Sequence, residues 1–345
     1  PGDGEDEQDN ARWTLDAHSE GLDPAVFSGE TGGEPMLLEV QAHGIGGSAD
    51  VQGWWQQGEN RIAIQPSKLR LQAQTLYTQP LIVDVLDGRV TLNGSGTFKQ
   101  DMARFNFAAN ARGLKWSDAS GNTQVAGDGD FGVAGTRAAW AVNGKAKLLR
   151  GEQRADVTLD GRGDARGLTI KNLEASMPSG RLVANGRVDV SPQTQWQLDA
   201  RLAGFDPGYL LPDWPGAVTG RITTQGSIDA SNRLSADVDV QDLGGRLRGR
   251  ALDGHGRLQV RGEEYSGEVA LSLGSSRIDA HGKIGQRIDV DTQVSPLQLD
   301  DLLPDAQGVL KGRVTITGPR NAFDIDADID GSGIRYGDYH IDSAS

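Results

Sequence analysis

Four stretches of the 345-residue sequence carry residue types at spacings that could do chemistry. Gly127-Asp-Gly-Asp-Phe-Gly132 fits the GxGxxG string that cradles a dinucleotide pyrophosphate at a helix N-terminus. That chemistry needs a helix directly after the loop. Residues 133–142 lack a helical pattern, Asp128 and Asp130 would repel phosphate, and a turn is expected instead. Asp326-Ala-Asp-Ile-Asp-Gly331 opens like a calcium loop. The twelfth position, where a bidentate Glu belongs, is Gly337, and no helical patterns flank the segment. Trp54-Trp55 and Trp214-Pro215 could stack on sugars, but adjacent strand residues point to opposite faces, so packing in a core or groove is expected. The histidines at 18, 43, 255, 281 and 340 form no HExxH and no pair at helical ligand spacing. No Ser sits in a GxSxG elbow. The many Asp residues recur at outward positions, as a solvated face would place them, rather than as a glycosidase pair. No catalytic residue, metal ligand or cofactor is expected.

The elements that would have to position such residues are strands almost throughout. In Phe323-Asp-Ile-Asp-Ala-Asp-Ile-Asp330, Phe323, Ile325, Ala327 and Ile329 fall on one face and four Asp on the other. Residues 233–240 and 287–294 alternate in the same way. Hydrophobic residues make up 37% and aromatics 6%, which suits thin layers better than one thick core. The 48 Gly against 13 Pro call for many turns and bends. A net charge of −14, with Arg interspersed among Asp, argues against a nucleic-acid partner. There is no Cys, hence no disulfide framework. No run approaches the roughly 20 apolar residues of a membrane helix. The sequence starts without Met and stops within a strand-like pattern, so it reads as a fragment whose membrane anchor would lie elsewhere.

Repeats organise the strands. Trp13-Thr-Leu-Asp-Ala-His-Ser-Glu-Gly-Leu-Asp-Pro24 returns 183 residues on as Trp196-Gln-Leu-Asp-Ala-Arg-Leu-Ala-Gly-Phe-Asp-Pro207. Phe105-Asn-Phe-Ala-Ala lies half that distance away, and Ile288-Asp-Val-Asp follows Trp196 by 92. Leu210-Leu-Pro-Asp213 and Gly220-Arg-Ile-Thr-Thr-Gln-Gly226 return 92 residues on as Leu302-Leu-Pro-Asp305 and Gly312-Arg-Val-Thr-Ile-Thr-Gly318. Gly88-Arg-Val-Thr-Leu-Asn-Gly94 returns at the same spacing as Gly180-Arg-Leu-Val-Ala-Asn-Gly186. The expected organisation is an acidic, flexible stretch over 1–10, then one elongated β-repeat domain over 11–345 with units starting near 13, 105, 196 and 288. Each unit holds about six strand-like runs of seven to ten residues. Six strands advance roughly 29 Å. Asp206-Pro207 predicts a short helix through Leu211, and Asp23-Pro24 an equivalent one in the first unit.

Equivalent positions of stacked units face the same way. Trp13, Leu15, Phe105, Phe107, Trp196, Leu198, Ile288 and Val290 therefore make one apolar stripe. Ile222, Val314 and Ile316 from the second repeated block, with Phe323, Ile325 and Ile329, extend it. Neighbours such as Asp16, Asn106, Asp199 and Asp289 face water. These fourteen apolar residues are the candidate binding groove.

The recurring pattern resembles the TamB family of the AsmA-like superfamily. The resemblance rests on Gly-Arg-apolar-x-apolar-Asn-Gly at Gly88 and Gly180, the Leu-Asp-Ala…Phe-Asp-Pro run from Leu198, and Gly-Ile-Arg-Tyr-Gly-Asp-Tyr from Gly333 to Tyr339, and it spans essentially the whole chain. It implies a sheet curled into an open, taco-like trough with a long apolar interior. It also implies a periplasmic location within a protein anchored in the Gram-negative inner membrane, and an outer-membrane barrel partner of the TamA type. The functions implied are phospholipid passage to the outer membrane and assembly of outer-membrane proteins, including autotransporters. Three readings stay open: a conduit for phospholipid acyl chains, a chaperone holding unfolded outer-membrane strands by β-augmentation, and an extracellular adhesin or carbohydrate-active β-solenoid.

Overall fold

The computed structural model describes residues 11–22, 36–58, 60–98, 103–117, 123–191, 193–209, 211, 213–229, 231–302, 306–336 and 339–344. The acidic stretch 1–10 and Asp23-Pro24 lie outside them. The fold is all-β, and the chain divides into two compact units, residues 1–165 and 166–345.

Unit 1 is an antiparallel meander of β1 (Arg12–Leu22), β2 (Met36–Ile45), β3 (Ser48–Gln57), β4 (Asn60–Gln72), β5 (Thr75–Val85), β6 (Gly88–Thr97), β7 (Arg104–Ser117), β8 (Thr123–Thr136), β9 (Ala139–Arg150) and β10 (Gln153–Gly163). Each strand pairs with its chain neighbours, and among the described residues β1 and β10 do not pair, so the sheet stays open.

Unit 2 repeats the plan with β11 (Gly167–Met177), β12 (Gly180–Asp189), β13 (Thr194–Phe205), β14 (Gly216–Ile228), β15 (Leu234–Leu247), β16 (Arg250–Arg261), β17 (Glu264–Leu273), β18 (Ser276–Ile284), β19 (Arg287–Gln298), β20 (Ala306–Pro319), β21 (Asp324–Tyr336) and β22 (Tyr339–Ala344). A 3-10 turn, Pro207–Tyr209, follows β13, and α1 (Leu299–Leu302) follows β19. The turn is shorter than Asp206-Pro207 predicts. The Asp206 carboxylate does accept the Gly208 amide at 2.9 Å as a cap, but it also accepts the Gly216 amide at 2.8 Å. The chain is thus drawn straight into β14.

Many strands run to 12–14 residues, longer than the seven to ten the alternation predicts, because bulges carry one strand past a break in its register. Register shifts fall between Thr78/Leu81 and Ile170/Leu173, and between Leu202/Phe205 and Val294/Leu297; the members of each pair of bulges are 92 residues apart. Opposite the first two sit the last glycines of the repeated Gly-Arg blocks. Gly94 pairs with Thr78 and Gly186 with Ile170. Gly94 has φ +154° and Gly186 +147°, and a Cβ on either would lie 2.1 Å from a carbonyl oxygen of the next strand. Only glycine lets the backbone turn that corner with its neighbour so close.

Hairpin turns follow the two-residue rule, with φ above zero at both central positions in Ala73-Gln74, Leu86-Asp87 and Arg248-Gly249. The compact core of unit 2 is small. Val218, Leu252 and Leu273 are buried together, with Leu202, Trp214, Leu243, Leu247 and Leu271 against them. Val218 of β14 and Leu252 of β16 flank Gly245 of β15, whose missing side chain lets the sheet curl.

Candidate functional site

Residues directly opposite one another on antiparallel strands share a face, so the register assembles the apolar face of unit 2 row by row. One row runs Leu198, Thr224, Val238, Leu258, Gly267, Gly282, Val290, Ile316, Ile325 from β13 to β21. On one side of it lie Trp196, Gly226, Ala236, Val260, Tyr265, Ile284, Ile288 and Gly318. On the other lie Ala200, Ile222, Val240, Gly256, Val269, Ala280, Thr292, Val314 and Ala327. Trp196, Leu198, Ile222, Ile288, Val290, Val314, Ile316 and Ile325 therefore lie on one face, and Ile329 follows one row further on, opposite Gly312. Phe323 lies just ahead of β21 and is 47% exposed.

In unit 1, Phe105 and Phe107 of β7 sit opposite Gly135 and Val133 of β8, and Trp13 and Leu15 of β1 opposite Gly44 and Ala42 of β2. Leu15 and Ile325 are more than half exposed. Leu15 lies on β1, whose one partner is β2 among the described residues. Ile325 lies on the half of β21 that β22 does not reach.

Within the three rows of unit 2, an apolar cavity of about 440 Å³ opens among Val238, Val240, Gly256, Leu258, Tyr265, Gly267, Val269, Ala280, Gly282, Ile284 and Val290. That volume is within the usual range of small-ligand sites, roughly 300–1,000 Å³. The depth comes from glycine, with Gly267 and Gly282 directly opposite each other where side chains would otherwise meet. Of these residues only Val290 stands out in the repeats. The others carry one sequence signal, glycines at apolar-face positions of neighbouring strands.

The opposite face is charged. Arg221 pairs with Asp199, Arg261 with Asp237 at 2.7 Å, Arg313 with Asp291 at 2.9 Å, and Lys283 with Glu264 at 3.0 Å. The Arg261 hydrogen bond holds the Asp237 carboxyl below the usual carboxylate range, as Arg89 does for Asp84 in unit 1. At Asp291 burial pushes the pKa up, but hydrogen bonds from Thr315 and Arg313 outweigh it and the net direction is down.

The sequence stretches with chemical potential take other roles. Gly127 to Gly132 lies inside β8 rather than in a turn. The Phe131 ring lies over Gly144 and Gly129, where a side chain would collide with it. Asp128 accepts the Gly113 amide at 2.7 Å, and Asp130 pairs with Arg112 at 3.0 Å. Asp326, Asp328 and Asp330 are β21 residues opposite Thr315, Arg313 and Lys311. Trp55 faces Leu38 and Ile62, whereas Trp54 points to the other face, donating to Glu39 at 3.1 Å with Arg61 5.0 Å from its ring centre.

Comparison with known proteins gives one family and no structural template. The family model for the TamB N-terminal domain matches residues 49–345. The translocation and assembly module subunit TamB of Haemophilus influenzae is 22% identical over 193 residues, which cover 55% of this chain and 15% of that protein. No solved structure matches.

Proposed function

The chain belongs to the TamB family, and from that premise we propose that it is a periplasmic stretch of an inner-membrane-anchored, envelope-spanning protein that conducts phospholipid toward the outer membrane. The observation that carries this reading is the apolar face of unit 2, three rows deep and hollowed by a cavity of about 440 Å³. Each methylene taken from water onto such a face is worth about 0.8 kcal/mol, so acyl chains can be held without a head-group pocket. A face open along one side leaves the head group wet. In unit 1, Trp13, Leu15, Phe105 and Phe107 are the residues proposed to contact acyl chains in the same way. No residue is assigned a catalytic role.

Native mass spectrometry of the purified chain tests this. Co-purified phospholipid is expected, and Leu198→Asp and Phe107→Arg should reduce it while the far-ultraviolet spectrum stays that of a sheet. A lipid-free protein that also fails to take up phospholipid from vesicles would refute the conduit.

A second reading is favoured by the name of the Haemophilus influenzae relative, a translocation and assembly module subunit. In that reading the same face holds unfolded strands of outer-membrane proteins, working with a barrel partner of the TamA type. Cross-links from Leu198 to nascent barrel protein rather than to lipid would select it.

A further inference from the structure

The apolar face of unit 2 has two halves; bulges on β13, β15 and β19 lie at the division, and β16 to β18 cross it without one. Beyond it, toward the Arg248-Gly249 turn, Leu252 and Leu273 are 6% and 2% exposed. Before it, Val269 and Leu258 are 42% and 44% exposed. Leu202, Trp214, Leu243, Leu247 and Leu271 pack on the buried residues of the first half, and at its β17–β18 end, where Ser276 sits opposite Leu273, lies α1. Its Asp301 is fully buried. The Asp301 Oδ1 lies 2.6 Å from Arg250 Nε, and Oδ2 accepts the Ser276 hydroxyl at 2.5 Å. Asp300 takes the other edge of Arg250 at 2.5 Å, and Arg248 donates to the Asp301 carbonyl at 3.0 Å. Arg248 also lies 5.5 Å from the ring centre of Trp214, in the loop that precedes β14 and packs on the same buried residues. Two connections 92 residues apart, after β13 and after β19, are thereby tied together over the ends of the β15–β16 and β17–β18 hairpins.

We propose that α1, latched through Asp301 into the seat formed by Arg250 and Ser276, seals the far half of the apolar face and confines acyl chains to the open half. The ligand rests on the conduit reading above; the seal does not. A buried carboxylate is held only while its partners stay in place, so the seat has two settings. With the partners engaged, the row Val218, Leu252, Leu273 is core. With them released, that row becomes a continuation of the groove.

The chain lacks cysteine, so single-cysteine variants report each half directly. Leu252→Cys and Val269→Cys are treated with N-ethylmaleimide and with a maleimide bearing a hexadecyl tail, and Ala236→Cys, buried on the open side, reports global unfolding. In the otherwise unchanged chain Val269→Cys should react at least about tenfold faster than Leu252→Cys. Adding Asp301→Asn should raise the Leu252→Cys rate about tenfold and leave Ala236→Cys protected. If Asp301→Asn exposes Ala236→Cys as well, Ser276→Ala, which takes one hydroxyl from the seat, decides. It should open Leu252→Cys alone, to a smaller degree. Equal reactivity of Leu252→Cys and Val269→Cys in the unchanged chain, or protection of Leu252→Cys in both latch variants, overturns the seal. Should Val269→Cys react no faster with the tailed maleimide than with N-ethylmaleimide, the conduit reading loses support while the seal stands or falls on the small probe.

Discussion

Leu273 and Val269 lie four residues apart on β17, on the same face of the same sheet, yet the first is 2% exposed and the second 42%. Both obey the same alternation. Their difference comes from what crosses over them. Leu273 lies at the hairpin tip opposite Ser276, the Asp301 partner, and is buried with Leu252 against Trp214, whereas Val269 borders a cavity lined by Gly267 and Gly282. A repeated apolar strand pattern thus specifies a face, and connections and glycines decide whether that face becomes core or groove.

The sharpest way to break the comparison is to weaken each half in turn. Leu273→Ala should lower stability by about 2–5 kcal/mol, as core truncations do, whereas Val269→Ala should stay within about 0.5 kcal/mol. Urea unfolding followed by tryptophan fluorescence measures both. Equal losses would mean that the open half is packed core. The corner between the halves comes next. Gly186→Val should cost about 1–3 kcal/mol from backbone strain alone, with further loss from collision with the Gln197 carbonyl. Filling the cavity is milder. Gly256→Leu places a side chain whose nearest neighbour is a carbonyl 3.2 Å from the new Cβ. It should remove bound lipid in native mass spectra at a stability loss of about 1–3 kcal/mol.

The smallest effect lies on the charged face. Asp84 and Asp237, held by Arg89 and Arg261, and Asp229, held by the backbone amides of the turn after β14, have carboxyls below their ordinary values. Folded values below the unfolded value of about 3.9 contribute stability that is present above that pH and lost as pH falls through the folded values. The urea midpoint should therefore be flat from about pH 5 upward and decline below about pH 4. No acid-linked decline would show that these pairs contribute nothing.

Much of this was legible in the residues. Alternation placed Trp196, Leu198, Ile288 and Val290 on one face, because strand geometry leaves no other arrangement. The repeated Gly-Arg blocks fell where the chain turns a corner, because only glycine fits opposite the bulges. The division into halves left no such mark. Leu252 and Leu258 read alike, since they alternate on one unbroken strand and differ in what packs on them from elsewhere in the chain. Asp301 sits in Leu299-Asp-Asp-Leu302, which reads as a solvated acidic stretch. Its burial follows from Arg250 and Ser276, brought to it by pairings that local sequence does not encode. The turns at Ala73-Gln74 and Leu86-Asp87 lack the Asn or Gly that two-residue hairpins usually advertise.

The most direct measurement places a photoreactive residue at Val269 and, one strand over on the opposite face, at Asp279, in the whole protein in the cells that make it. Phospholipid adducts are expected at Val269, few or none at Asp279, and loss of the Val269 adduct in the Gly256→Leu background. Equal lipid labelling at both positions, or polypeptide adducts alone at Val269, would contradict an apolar groove that carries acyl chains.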